Sequence, residues 1–134
     1  MKGKGRMSWP GGEKYEGEFL NNQRDGQGKL TWKNGTYYEG GFSKGEASGM
    51  GVIRWPNGER YEGQMEKGNA NGKGAYYFPG GEWYRGEVKN LAFEGVGIYH
   101  WPDGSYYVGE FKQDRLNGEG YYVWPNGVQQ WGYW

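Results

Sequence analysis

The chain has 134 residues, and its 16 basic and 16 acidic side chains give a formal net charge of zero. A neutral chain lacks the long-range attraction of a nucleic-acid binder, which excludes nucleic acid as a partner and disfavours anionic lipid without removing it as an alternative. There is no cysteine, so a disulfide framework and a thiolate metal site are excluded and a cytoplasmic location, with or without cytoskeletal or membrane association, is the expectation.

Aromatic residues supply most of the apolar content. The chain holds 8 Trp, 13 Tyr and 5 Phe beside 29 Gly, which leaves few aliphatic side chains for a core. Glycines at fixed positions among strand-favouring aromatic residues predict a regular β structure. No segment has the roughly 20 apolar residues that span a bilayer, and no apolar stretch typical of a signal peptide follows the basic N-terminus.

A Gly-x-Gly pair recurs every 23 residues without insertion or deletion, and a turn glycine and a large aromatic residue keep the same register. Periods of this length are typical of units that bury their apolar face only by stacking. We therefore expect a single array over residues 3–134 after a two-residue tail, divided into units 3–25, 26–48, 49–71, 72–94, 95–117 and 118–134.

Each unit begins with a predicted strand, continues through a turn and ends with a second strand. In the fifth unit the turn is Pro102-Asp103-Gly104, residue types that favour a hairpin. Because side chains alternate along a strand, rings and glycines share one face: Gly97, Tyr99 and Trp101 on the first strand, and Tyr107, Gly109 and Phe111 on the second. We expect each ring to lie over the bare glycine backbone of a neighbouring strand.

Polar segments follow the hairpins, and the pattern predicts surface loops there, at residues 20–25, 43–48, 66–71, 89–94 and 112–117. Six hairpins then give about twelve strands. The predicted fold class is all-β: an elongated, twisted single antiparallel sheet of consecutive β-hairpins, open at its ends and with a groove.

A Tyr-x-Gly-x-apolar block occupies the second strand of five units. It runs over residues 15–19, 38–42, 61–65, 84–88 and 107–111. This block and the Gly-x-Gly register resemble the MORN repeat (membrane occupation and recognition nexus). The resemblance implies a twisted hairpin sheet and a scaffold or adaptor role in cytoskeletal, ciliary or membrane-junction assemblies, with no cofactor and no chemistry. It also leaves phospholipid-headgroup binding, or a regulatory segment of a larger enzyme, as alternatives.

Two surfaces are candidate sites for a protein partner or a second copy of the chain. The first is the groove, whose rings could receive an amphipathic helix or an extended peptide; packing on glycine is the competing explanation for these rings. The groove residues are Trp32, Tyr38, Trp55, Tyr61, Phe78, Tyr84, Trp101 and Tyr107.

The second surface lies in the C-terminal half, where the face opposite the rings changes from polar to apolar. A contiguous apolar patch typically marks an interaction surface, although burial within the molecule would also explain it. The patch residues are Leu91, Phe93, Ile98, Tyr106, Val108, Tyr121, Val123 and Trp131.

An enzyme is not expected. The chain has one histidine, His100, in a column that holds unrelated residue types in the other units, and no carboxylate pair stands out from the repetition. Metal and cofactor sites are not predicted either. The sequence has no metal-ligand cluster, and Gly-x-Gly here belongs to hairpins and not to the strand-to-helix turn of a phosphate loop. A carbohydrate- or choline-binding repeat is the remote alternative, since glycine- and aromatic-rich repeats of similar length build such modules.

Overall fold

The computed structural model describes the backbone of residues 2–133 and the side chains of residues 3–133. Its twelve strands form one antiparallel sheet in chain order, each paired with the next, so the predicted fold class is confirmed. The strands are β1 (Lys2–Ser8), β2 (Lys14–Leu20), β3 (Gln23–Thr31), β4 (Tyr37–Ser43), β5 (Glu46–Arg54), β6 (Arg60–Glu66), β7 (Asn69–Tyr77), β8 (Trp83–Lys89), β9 (Ala92–His100), β10 (Tyr106–Lys112), β11 (Arg115–Val123) and β12 (Gln129–Tyr133).

A row of glycines, one from each strand, crosses the whole sheet. Each glycine is paired with the glycine of the next strand, beginning with Gly5 against Gly17 and ending with Gly120 against Gly132. The row follows from the 23-residue period, which places the Tyr-x-Gly glycine opposite the second glycine of each Gly-x-Gly pair. It leaves a continuous strip of bare backbone.

The block tyrosines fill this strip, as the sequence predicted. A Cβ built on Gly74 would lie 2.5 Å from the ring and hydroxyl oxygen of Tyr61, which is 0% exposed. The Tyr61 hydroxyl donates to the carbonyl oxygen of Gln64 at 2.9 Å, and the other four block tyrosines donate to the equivalent carbonyl of their own repeat. Because each buried hydroxyl has an acceptor, the ring can be fully enclosed at low cost.

The first glycine of the five Gly-x-Gly pairs that follow Gly3/Gly5 has a different role. Gly26, Gly49, Gly72, Gly95 and Gly118 have φ between +64° and +105°. They lie where the pairing of neighbouring strands shifts register, for example between Gly63 and Met65 of β6 opposite β7. Such bulges favour glycine because an L side chain is strained in left-handed backbone.

The segments predicted as surface loops are two-residue turns between continuing strands. Asn21-Asn22, Lys44-Gly45, Lys67-Gly68, Asn90-Leu91 and Gln113-Asp114 all have two consecutive positive φ angles. Two left-handed residues in succession define a type I′ turn, whose twist matches that of the flanking strands. The strands are therefore longer than the sequence predicted, and residues such as Phe93 belong to the sheet.

The core lies on the tyrosine face and connects one repeat to the next. Tyr15 packs edge-on against Phe42 of the following repeat at 5.1 Å between ring centroids, and Tyr84 packs in the same way against Phe111 at 5.0 Å. Edge-to-face pairs of this kind add to the free energy gained from burial alone. Each repeat thus completes the core of its neighbour, and a second layer is not needed.

Candidate functional site

Seven rings form a continuous zigzag on the tyrosine face of the C-terminal half. We call them the aromatic ladder: Trp55, Tyr76, Phe78, Tyr99, Trp101, Tyr122 and Trp124. Consecutive centroids are separated by 5.5, 4.8, 6.1, 4.9, 5.4 and 4.8 Å. The first six rings are half-buried and Trp124 is 36% exposed, so the ladder presents accessible ring surface along its length.

The repeat itself builds the ladder. One ring of each repeat, which we call the outer ring, directly follows the end of an odd-numbered strand; in the ladder the outer rings are Trp55, Phe78, Trp101 and Trp124. In the fifth repeat the backbone N–H of the outer residue, Trp101, donates to the Ser105 carbonyl oxygen and closes the hairpin turn. An inner ring stands two residues earlier and therefore on the same face. In β3 and β5 that inner position holds Leu30 and Ile53, which is why the zigzag begins at Trp55.

Leu91, Phe93 and Asp114 close one side of the ladder. With Tyr76, Phe78 and Tyr99 they line a pocket of ≈ 350 Å³. Phe93 is buried and stacks on Tyr84 at 3.9 Å between centroids, which fixes the pocket floor. Leu91 has φ of 69°, a left-handed conformation that costs a branched residue about 1 kcal/mol or more. The same left-handed position recurs in the other two-residue turns, so this conformation follows from the turn type.

The electrostatic environment of the ladder is acidic. Tyr76 donates a hydrogen bond to Glu59, and burial, followed by the Glu59 carboxylate, raises the pKa of the Tyr76 phenol. Burial and the Glu82 carboxylate likewise raise the pKa of Tyr99. Asp114 is the one charged residue among those that line the pocket. Arg24, which lies on this face, is at the other end of the sheet, 5.5 Å from the ring centroid of Trp9.

The sequence model of the MORN repeat matches six tandem segments: residues 1–14, 15–37, 38–60, 61–83, 84–106 and 107–129. The chain belongs to the MORN-repeat family. The last five matched segments have the predicted 23-residue period and begin at the block tyrosines, and the first, residues 1–14, ends directly before Tyr15. No curated protein sequence matches the chain.

A solved structure shares the fold of this MORN array. The TCP domain of SAS-4 (dCPAP) from Drosophila melanogaster, solved in complex with a proline-rich motif of Ana2 (dSTIL), is 17% identical with a TM-score of 0.61, and the match covers 98% of the MORN array and 72% of that chain. The G-box domain of the microcephaly protein CPAP is 15% identical over 98% of the array and 99% of that chain, with a TM-score of 0.23 that supports no structural comparison.

The predicted groove residues divide into two groups in the MORN array. Tyr38, Tyr61, Tyr84 and Tyr107 are at most 1% exposed and are packed over glycine. Trp55, Phe78 and Trp101 belong to the aromatic ladder, and Trp32, 37% exposed, stands one repeat before it. Only the second group offers ring surface to a ligand.

The predicted C-terminal patch is divided between the two faces of the MORN array. Leu91 and buried Phe93 lie beside the aromatic ladder. The other six residues lie on the opposite face, where Ile98, Val108, Tyr121 and Trp131 are paired in turn across β9 to β12. Tyr106 and buried Val123 form a second paired row beside them. We call these six residues the opposite-face patch.

The prediction missed the inner rings of the ladder, Tyr76, Tyr99 and Tyr122, and its acidic neighbours Glu59 and Asp114. A signal for the tyrosines was available, since strand alternation already placed Tyr99 on the ring face. No sequence signal marked Asp114, because its position depends on a type I′ turn that the residue types Gln113-Asp114 do not indicate. Among residues 3–133 there is no cluster of three or more metal-ligating side chains, and no helix long and apolar enough to cross a membrane.

Proposed function

We propose that this MORN array is a non-catalytic scaffold or adaptor that binds an extended segment of a partner protein along the aromatic ladder. The observation that carries the proposal is the ladder itself: seven adjoining rings whose accessible surface is not used to close the core. Tyr and Trp are enriched among the residues that dominate protein interfaces, because they bury large areas at small entropic cost.

The shape of the site favours a segment over a globular surface. The ladder runs across the strands and carries one depression beside it, at Leu91 and Asp114. Extended peptides and helices are recognised in grooves of this kind. The similar SAS-4 TCP domain was solved with a proline-rich motif of Ana2, which supports peptide recognition on this fold as part of our proposal. A cytoskeletal, ciliary or membrane-junction assembly is the proposed setting.

Selection of displayed random peptides against the array tests the proposal. We expect peptides that bind the wild type and lose about tenfold or more in affinity on Trp101→Ala or on Trp124→Ala. Trp124 lies at the ladder's more exposed end, so at least this variant should keep the wild-type unfolding midpoint. Tyr121→Ala, on the opposite face, is the matched control and should bind as the wild type does.

Binding that survives both tryptophan variants, or that Tyr121→Ala alone removes, would contradict the proposal. So would a failure of the selection to yield any peptide whose affinity depends on the ladder. A circular-dichroism spectrum and a thermal melt of each variant establish that the array remains folded.

The opposite-face patch supports self-association as a second candidate function. Tyr121 is 45% exposed and Trp131 is 53% exposed, and their rings are in edge contact at 4.2 Å between centroids. Two adjoining exposed aromatic side chains at the end of an apolar cross-strand row are typical of an interaction surface.

A further inference from the structure

We propose that the segment bound by the aromatic ladder is a polyproline II peptide that carries basic side chains and makes one helical turn for each MORN repeat. The inference rests on the proposed function and specifies the partner of that site. The spacing of the rings, their tilt and the charge around them support it.

The spacing of the ladder matches the pitch of polyproline II. Outer rings are two strands apart, or about 9.6 Å at the usual strand separation. A polyproline II helix has three residues per turn and rises about 3.1 Å per residue, which gives a pitch of about 9.3 Å. Over the three intervals from Trp55 to Trp124 the mismatch accumulates to only about 1 Å. A peptide that crosses the strands therefore meets an equivalent ring at every third residue.

Other extended conformations fit less well. In an α-helix one face recurs at every turn, about 5.4 Å, and the repeat nearest the ring spacing is two turns of seven residues, about 10.5 Å, so the mismatch over three intervals approaches 3 Å. A β-strand returns to one face every two residues, or about 6.8 Å, which is far from the ring spacing. Among the regular conformations, polyproline II alone keeps register with the ladder.

The tilt of the rings provides a matching shape. Within one repeat the inner and outer rings meet at 43° for Tyr76 and Phe78, 50° for Tyr99 and Trp101, and 62° for Tyr122 and Trp124. The two rings of each pair are therefore inclined to each other, and the inclined pairs repeat with the period of the array. Proline-rich segments dock on such aromatic surfaces, and their conformation is largely formed before binding, which reduces the entropic cost.

The charge around the ladder indicates which side chains the peptide carries between its prolines. Asp114 is exposed at the pocket, and Glu59 and Glu82 flank the inner tyrosines. None of the six residues that line the pocket is basic. Charge complementarity therefore favours arginine or lysine at the peptide positions between the prolines that face the sheet.

Three synthetic peptides test the inference: four Pro-Pro-Arg triplets, four Pro-Pro-Glu triplets and four Gly-Gly-Arg triplets. Affinity is measured by the change in tryptophan fluorescence on titration. We expect the Pro-Pro-Arg peptide to bind at least about tenfold more tightly than either of the others, because only it combines the preformed helix with the complementary charge. Trp101→Ala should weaken this binding, and Tyr121→Ala should not.

The Asp114→Asn variant tests how much the negative charge of Asp114 contributes to peptide binding. Asn can accept the hydrogen bond that the Phe93 backbone N–H donates to Asp114 Oδ1 at 2.8 Å, and it tolerates the left-handed backbone at this turn. We expect the variant to keep its stability and to bind the Pro-Pro-Arg peptide several-fold more weakly.

Equal affinity for the Arg and Glu peptides, or for the Pro and Gly peptides, would overturn the inference. If the display selection yields ladder-dependent peptides without proline at three-residue spacing, the inference fails and the proposed function stands. If no peptide of either experiment depends on the ladder, both fail.

Discussion

The packing of each block tyrosine depends on the absence of side chains from two paired glycines, one on its own strand and one on the next strand. A Cβ on Gly63 would lie 2.5 Å from the Cα of Gly74 and 2.6 Å from the Tyr61 hydroxyl oxygen. Both contacts are far shorter than van der Waals distance, and one is to backbone, so neither partner can move away at low cost. The conformational preferences of glycine matter less here than its size.

We predict that Gly63→Ala lowers the free energy of unfolding by about 2 kcal/mol or more, as overpacking of a filled core does. Gly3→Ala is the matched control: a Cβ there would meet nothing within 4 Å, and this strand residue should tolerate alanine. Urea unfolding followed by circular dichroism measures both. A Gly63→Ala variant as stable as Gly3→Ala would show that the glycine row is not required for packing.

Burial of the phenols makes stability sensitive to alkaline pH. Desolvation raises the pKa of Tyr38 and of Tyr61 to about 12, from the ordinary value of 10.0. Below pH 10 both residues are protonated in the folded and unfolded states, and their contribution is complete. Above pH 10 the unfolded chain loses these protons first, so the free energy of unfolding falls as the pH rises through about 12.

We expect urea midpoints measured from pH 8 upward to be flat to about pH 10 and to fall steeply beyond it. The variant with Tyr38→Phe and Tyr61→Phe should start lower, because it lacks two hydrogen bonds, and should fall less steeply above pH 10. The difference in slope between the wild type and the variant measures the contribution of these two phenols, because lysine and the other titrating groups are common to both proteins. Parallel curves would contradict the assignment of the effect to these tyrosines.

Among the structural elements, the hairpin turns contain one repeat position whose buried hydroxyl is hydrogen-bonded in one repeat and has no hydrogen-bond partner in another. Ser105 is 1% exposed; its Oγ donates to Asp103 Oδ1 at 2.5 Å and accepts from the Tyr122 hydroxyl at 3.2 Å. Thr36 occupies the same position of the second repeat and is 8% exposed, yet its Oγ1 has no hydrogen-bond partner among the described residues. Ile53 stands where a ladder tyrosine would supply one.

This contrast predicts opposite effects of removing the two hydroxyls. Thr36→Val keeps the side-chain shape and removes an unpaired buried oxygen, so the free energy of unfolding should rise by about 1 kcal/mol. Ser105→Ala breaks two hydrogen bonds and leaves Tyr122 and Asp103 without this partner, so here the free energy of unfolding should fall by about 1 kcal/mol or more. Thermal unfolding of the two variants beside the wild type measures both. Destabilisation by Thr36→Val would mean that its hydroxyl is satisfied in solution.

The elements also show what the sequence could predict. The 23-residue period and strand alternation suffice to place Tyr61 over Gly74, because both features are local and repeat without error. The type I′ turns were missed because pairs such as Gln113-Asp114 do not have the Asn-Gly signature of that turn. With the turn unrecognised, strand alternation was not extended to Phe93, so the pocket beside the ladder was not predicted.

At the scale of the whole molecule, the array has one face that builds the core and presents the ladder, and a second face that changes character along the sheet. In the first repeats the second face carries cross-strand charges such as Arg6 and Glu16, 3.6 Å apart. In the last repeats the same row carries Tyr121 paired with Trp131. The two faces are separated by the sheet, so a partner on the ladder leaves the opposite-face patch accessible.

We therefore predict that self-association and peptide binding are independent. Light scattering over a concentration series should show the mass of the wild type rising toward that of a dimer. The variant with Val108→Glu and Tyr121→Glu should remain monomeric, because two buried carboxylates would repel across the interface, and should bind ladder peptides as before. Trp124→Glu, on the ladder face, is the matched control and should associate like the wild type. A wild type that is monomeric at every concentration would contradict self-association, and a Trp124→Glu variant that alone is monomeric would place the contact on the ladder.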